Sequence, residues 1–148
     1  MTDDVGTLYC RFVDSLNHRA LGDLDQFLAA RVVQHATNPM ANDPVVSGLT
    51  VGIDAARQEL ARWLEAVPDG HLVIEDLVVE GDHLMARLRA TGTPRLPRDR
   101  ESARSRLSVP VFEAWSVRDG RCVERWLHVD RDACPSPPRD GADQGADD

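Results

Sequence analysis

Glu113 is the residue whose surroundings set it apart most. It sits in LSVPVFEAWSV, residues 107–117, a run otherwise apolar or small. Side chains alternate along a strand, so Glu113 would share a face with Val109, Val111, Trp115 and Val117. If that face walls a cavity, the carboxylate is desolvated and suited to general acid or base work near neutrality. If the face points outward, Glu113 is solvated and its neighbours form a dimer surface. His35, after VVQ, is placed to be a pocket base, a metal ligand or a hydrogen-bonded structural residue. We expect His35 and Glu113 to face one cavity and act together, one as base and one as acid. His128 and Asp130, at i and i+2 near the end of the chain's last apolar run, are a weaker pair. His18, His71 and His83 fall at element ends. The chain carries no Gly-rich phosphate loop, nucleophile elbow or zinc spacing, and Cys10, Cys122 and Cys134 form no CxxC. Neither a cofactor nor a metal is therefore expected.

The elements that must position these residues change character halfway along the chain. Val5, Leu8, Tyr9, Phe12, Val13 and Leu16 recur at helical spacing, with Thr2 or Asp3 as N-cap. Gly22 breaks that helix, and Asp23 caps a shorter one carrying Leu24, Phe27 and Leu28. A brief β-branched strand follows at 31–35, then a loop over 36–51 with a strand at Val45–Val46. Asp54 caps a third helix through Ala66, with Ala56, Leu60, Trp63 and Leu64 inward, and Pro68-Asp69-Gly70 stops it. Thereafter the period becomes two. Strands at 71–80 and 83–93 flank Gly81-Asp82, and strands at 107–118 and 121–130 flank Asp119-Gly120, two hairpin signals. On the last strand Arg125, Leu127 and Val129 share one face, and Glu124, Trp126, His128 and Asp130 the other. Helices before antiparallel strands imply an α+β fold. The expected form is a cone-shaped, strongly bent, mixed but mostly antiparallel sheet wrapped around three N-terminal helices, with an internal pocket. We expect that pocket to be lined by Phe12, Phe27, His35, Trp63, Glu113, Trp115 and Leu127. Residues 94–106 hold five Arg in thirteen positions and are expected to border its mouth, steering an anionic substrate or an acidic carrier protein.

Length and charge bound the rest. The 148 residues suit one domain, expected over 1–131, with 132–148 a disordered acidic tail of Pro, Gly and Asp. The net charge of -8 disfavours counterion-releasing contact with nucleic acid and with anionic membranes. The acidic N-terminus and the absence of an 18-residue apolar run point to a cytosolic protein with reduced thiols.

Six segments carry a family resemblance: LNHRALGDLD at 16–25, VVQH at 32–35, AVPD at 66–69, VEGD at 79–82, ATGT at 90–93 and RDGRCVERW at 118–126. In these the chain resembles SnoaL-like polyketide cyclases of the nuclear transport factor 2 superfamily, which also holds ketosteroid isomerases and limonene epoxide hydrolases. The resemblance spans roughly residues 5–130. It implies the cone fold, a homodimer through the open sheet face, and a cofactor-free cyclase or isomerase acting on a polyketide-like intermediate. His35 falls where ketosteroid isomerases place their base, and Glu113 near a pocket histidine of some cyclases. The family's acid-base aspartate, however, is Leu127 here. That departure keeps open a non-catalytic binding or dimerisation module. An epoxide-opening hydrolase or cyclase stays a third reading. It would want a carboxylate and an Arg–Asp relay, and the sequence displays no evident relay.

Overall fold

The computed structural model describes residues 4–37, 48–95 and 106–130. Helix α1, Val5–Asn17, begins at Asp4, whose side chain accepts from the Thr7 amide, so the cap lies one or two residues beyond the expected Thr2 or Asp3. Its buried face is Leu8, Tyr9, Phe12, Val13 and Leu16, as the spacing predicts. The second helix is a single 3₁₀ segment, Leu21–Gln26, that contains Gly22. It ends at Phe27, and Leu28 already belongs to strand β1, Leu28–Thr37, twice the length expected. Strand β2, Gly48–Val51, lies where a loop was expected. The expected strand at Val45–Val46, the body of the Arg-rich segment and the tail fall outside the described residues. Helix α2, Ile53–Ala66, is capped by Gly52 rather than Asp54, which pairs instead with Arg57 within the first turn. The four remaining strands are β3, His71–Glu80; β4, His83–Gly92; β5, Leu107–Arg118; and β6, Arg121–Val129.

One six-stranded sheet runs in the order β2-β1-β6-β5-β4-β3. All neighbours are antiparallel except β1 and β6, which the chain brings together in parallel after the other elements intervene. Register shifts interrupt β1–β6, β3–β4 and β5–β6, and such bulges sharpen the bend. The helices fill the concave side. Asp119 and Gly120 both have positive φ, the backbone an Asp-Gly hairpin turn requires. The fold is thus the α+β cone arrangement, its core an aromatic cluster in which Phe12 and Tyr9 meet Trp115 at 4.8 and 5.0 Å between ring centres.

Candidate functional site

Two register rows bring the polar groups of the concave face together. In one, Gln34 of β1, Arg125 of β6 and Trp115 of β5 are neighbours; in the next, Ala36, Leu127 and Glu113 are. All four polar or charged side chains of this region are buried: Gln34 1%, Glu59 7%, Glu113 4% and Arg125 3% exposed. They form a chain of hydrogen bonds. Arg125 Nε donates to Glu113 Oε1, and its Nη1 donates to Gln34 Oε1 at 2.7 Å. Gln34 Nε2 donates to Glu59 Oε2 on α2 at 3.1 Å and to Thr50 at 3.3 Å. From the other side, Tyr9 donates its hydroxyl proton to Glu113 Oε2 at 2.6 Å, and Trp115 Nε1 reaches Oε1 at 3.3 Å.

The groups are not equally satisfied. Glu113 accepts from three donors, as a buried carboxylate must. Burial would lower the Arg125 guanidinium, but the Glu113 charge and hydrogen bond outweigh that and raise it. Burial, then the Glu113 charge and hydrogen bond, push the Tyr9 phenol well above its usual value, so Tyr9 stays a neutral donor. Glu59 differs. Its Oε1 is buried and meets no hydrogen-bond partner among the described residues. Burial raises its carboxyl above the usual glutamate value, opposed by Arg125, Arg62 and the hydrogen bonds of Gln34 and Thr50.

Three members of this polar chain, Glu59, Glu113 and Arg125, border a cavity of about 50 Å³. Its walls are apolar, chiefly Leu60, Trp63, Leu72, Leu107, Val109 and Leu127. In this conformation it has room for a few waters, against roughly 300–1,000 Å³ for a pocket that swallows a whole small molecule. Beyond Trp63 the surrounding segments are tied together: Arg95 N donates to Ala66 O at 2.7 Å, Thr93 N donates to the Asp69 side-chain Oδ1 at 2.7 Å, and the Arg106 and Asp69 side chains pair. Both described ends of the Arg-rich segment therefore stand beside the C-terminus of α2, near Trp63.

A larger concavity of about 560 Å³ lies on the opposite, convex face, bounded by His35, Leu49, Met85, Phe112, Trp126 and His128. It is open, and although Glu113 also borders it, the Glu113 carboxylate is engaged on the inner side by Tyr9 and Arg125. We therefore take the smaller inner cavity, with its desolvated polar floor, as the candidate site.

The expected lining needs correction. Glu113, Trp63 and Leu127 border the inner cavity. His35 does not: alternation along β1 sends it to the convex face while Gln34 turns inward. There it stacks on Trp126 at 3.6 Å between ring centres and bonds Glu124 Oε2 at 2.8 Å. His35 and Glu113 both border the outer concavity, but the Glu113 carboxylate bonds Tyr9 and Arg125 on the inner side while His35 pairs with Glu124, so the expected partnership is not formed. Phe12, Phe27 and Trp115 pack into the core instead of lining the cavity, although Phe12 presents its ring to the Arg125 guanidinium at 5.3 Å. Sequence reasoning missed Glu59, Gln34 and Arg125 as site residues. Their signal was a polar residue in an apolar phase: Glu59 three beyond Ala56 and four before Trp63, Gln34 between Val32 and Ala36, Arg125 two before Leu127. In place of the Arg–Asp relay that epoxide opening would want, the described residues form a Glu–Arg–Gln–Glu chain whose members come from α2, β1, β5 and β6.

Comparison with known proteins agrees with this fold. The SnoaL-like domain model matches residues 10–125. A SnoaL-like polyketide cyclase from Agrobacterium tumefaciens superposes with a TM-score of 0.71 at 23% identity, covering 88% of this chain and 94% of that one. Wild-type IdmH from Streptomyces antibioticus gives 0.72 at 22% identity, with 86% and 93% covered. TsrD from Streptomyces laurentii gives 0.67 at 28% identity, with 88% and 92% covered. A search of curated protein sequences finds no match. No helix among the described residues is long and apolar enough to cross a membrane. With its family model spanning most of the sequence and its fold matching theirs, the chain belongs to the SnoaL-like domain family.

Proposed function

We propose that the protein is a cofactor-free, cytosolic cyclase or isomerase acting on a polyketide-like intermediate. The observation that carries this reading is a buried carboxylate–guanidinium–amide–carboxyl chain at the floor of an apolar cavity. Enolate chemistry needs a developing oxyanion stabilised in a dry site and a group able to exchange a proton. Arg125, held by Glu113 and Gln34, supplies the fixed positive charge. Glu113 is fully engaged by its donors, so its part is to hold Arg125. The apolar walls fold the substrate so that its ends meet, a proximity effect of roughly 7–11 kcal/mol when geometry is near attack. Because the cavity is narrow, substrate entry requires Trp63 and the rim to move outward.

The test is incubation with a linear polyketone thioester without metal or nucleotide, followed by mass spectrometry and chromatography. Ring closure or a shifted isomer is expected, and Arg125→Lys should lower the rate about 10²-fold or more, the scale of one lost oxyanion donor. Turnover that requires an added metal or nucleotide would overturn the reading.

The Glu113–Arg125–Gln34–Glu59 chain also favours epoxide opening as a second reading. Solvent labelled with oxygen-18 separates the two, because hydrolysis of an epoxide places one labelled oxygen in the product and cyclisation or isomerisation places none.

A further inference from the structure

We infer that Glu59 is the specificity group of the inner cavity, holding a carboxylic acid proton on Oε1 and donating it as a hydrogen bond to a carbonyl, hydroxyl or ether oxygen of a neutral, otherwise apolar ligand. The inference deepens the reading of the inner cavity as the ligand site and rests on it.

Three observations converge on Glu59. The residue borders the cavity, yet only 7% of its surface is exposed. Its two oxygens are inequivalent: Oε2 accepts from Gln34 Nε2 at 3.1 Å, while Oε1 is buried and meets no partner among the described residues. The apolar walls Leu60, Trp63, Leu107, Val109 and Leu127 offer nothing polar to it, and the lining's charged groups, Arg125 and Glu113, are engaged with each other. A carboxylate left so would carry an unsatisfied buried charge, whereas the neutral acid leaves one O–H to place. With Oε2 already occupied as an acceptor, that O–H sits on Oε1 and is directed at whatever enters the cavity.

The charged groups around Glu59 set the balance. Arg125 on β6 and Arg62 on its own helix favour the ionised form, and Glu113 on β5, paired with Arg125, offsets part of that attraction. Gln34 and Thr50, from β1 and β2, are neutral. Burial exceeds these opposing effects, and the carboxyl is raised. A fully ionised ligand would leave water for a dry cavity whose cation, Arg125, is already paired with Glu113, and a hydrocarbon would leave the Glu59 donor unpaired. A neutral molecule with one oxygen at its tip satisfies both conditions.

The test needs no turnover, so it is separable from the proposed reaction. Infrared difference spectroscopy of the whole protein over a pH series should show the carbonyl band of a protonated carboxyl that persists above the pH at which an exposed glutamate ionises and is absent in Glu59→Gln. Binding is then measured by calorimetry with cyclohexanone and with methylcyclohexane as probes. Wild type should bind the ketone more tightly, and that preference should fall as pH rises and Glu59 ionises. Glu59→Leu should weaken ketone binding about tenfold, the scale of one buried hydrogen bond, and abolish its pH dependence. Glu59→Gln, which keeps a donor, should recover part of the affinity without the pH dependence. Absence of the infrared band, its persistence in Glu59→Gln, or ketone binding that is undetectable or indifferent to Glu59→Leu would each overturn the inference. Failure of ring closure with all these results intact would count against the proposed reaction alone.

Discussion

At the scale of single residues, the buried Glu113–Arg125 pair dominates. Desolvating two charges is costly, and their attraction compensates only when the geometry is good and the remaining valences are met. Tyr9, Trp115 and Gln34 meet them. Removing one partner should therefore cost more than removing both. We expect Glu113→Gln to destabilise the fold by about 3 kcal/mol in chemical denaturation, and Glu113→Leu with Arg125→Met together to cost less, since no uncompensated charge remains. Tyr9→Phe should cost about 1.5–3 kcal/mol, the range for hydrogen bonds to a charged group. The cysteines divide similarly. Burial pushes the Cys122 thiol up to about 12, whereas Cys10 is exposed. In a Cys134→Ser background, a thiol reagent at pH 8 should label the folded protein once, at Cys10, and label Cys122 only on unfolding.

At the scale of elements, the junction of α2, its following loop and the end of β4 shapes the cavity rim. Gly92 has φ 151°, and a Cβ there would lie 2.3 Å from Val67 Cγ1 and 3.0 Å from the Gly70 Cα. Gly92→Ala must therefore displace the loop as well as strain the backbone, and we expect it to destabilise the fold by about 1–3 kcal/mol. Asp69 fastens the same junction. The Thr93 amide hydrogen bond lowers its carboxyl below the usual aspartate range. Because the folded value lies below the unfolded one, this contribution is complete above the ordinary aspartate value and disappears as pH falls through the folded value. Denaturation of Asp69→Ala against wild type should accordingly show a gap at neutral pH that closes in acid; a gap independent of pH would contradict the assignment.

At the scale of the whole molecule, the convex face is the unexplained surface. Leu49, His35, Trp126, Ala114, Met85 and Val78 are register neighbours across all six strands. Leu49, Val78 and Met85 are each more than 60% exposed, and Trp126 is 52% exposed. With His35 and Ala114 half-buried between them, these exposed apolar side chains make a row of the kind that interaction surfaces use. The homodimer implied by the family resemblance would cover it, and a two-fold axis through the row would set it against its own copy. Sedimentation velocity should give a dimer for wild type and a monomer for Trp126→Glu. A wild-type monomer at high concentration would sink the expectation.

What the sequence determined by itself was whatever local periodicity and turn chemistry decide. The helical faces of α1 and α2, the two hairpins, the limits of β5 and the two faces of β6 follow from spacings of 3.6 and 2 and from the dihedral demands of Asp-Gly and Gly-Asp. Alternation also placed Glu113 on one face with Val109, Val111, Trp115 and Val117, but whether that face turned inward or outward was left to the packing. The tertiary structure alone decided the phase of β1 and the company that Glu113 keeps. Val32, Val33, Gln34 and His35 offer an apolar pair followed by a polar pair, so alternation there allows either Gln34 or His35 to face the core. Pairing with β2 on one side and with β6 on the other, in parallel, fixed the choice as Gln34. Arg125 had likewise no partner within reach of local reasoning. Its hydrogen bonds run to residues 12 and 91 positions away, and only the bent sheet brings β1, β5 and β6 together under α2.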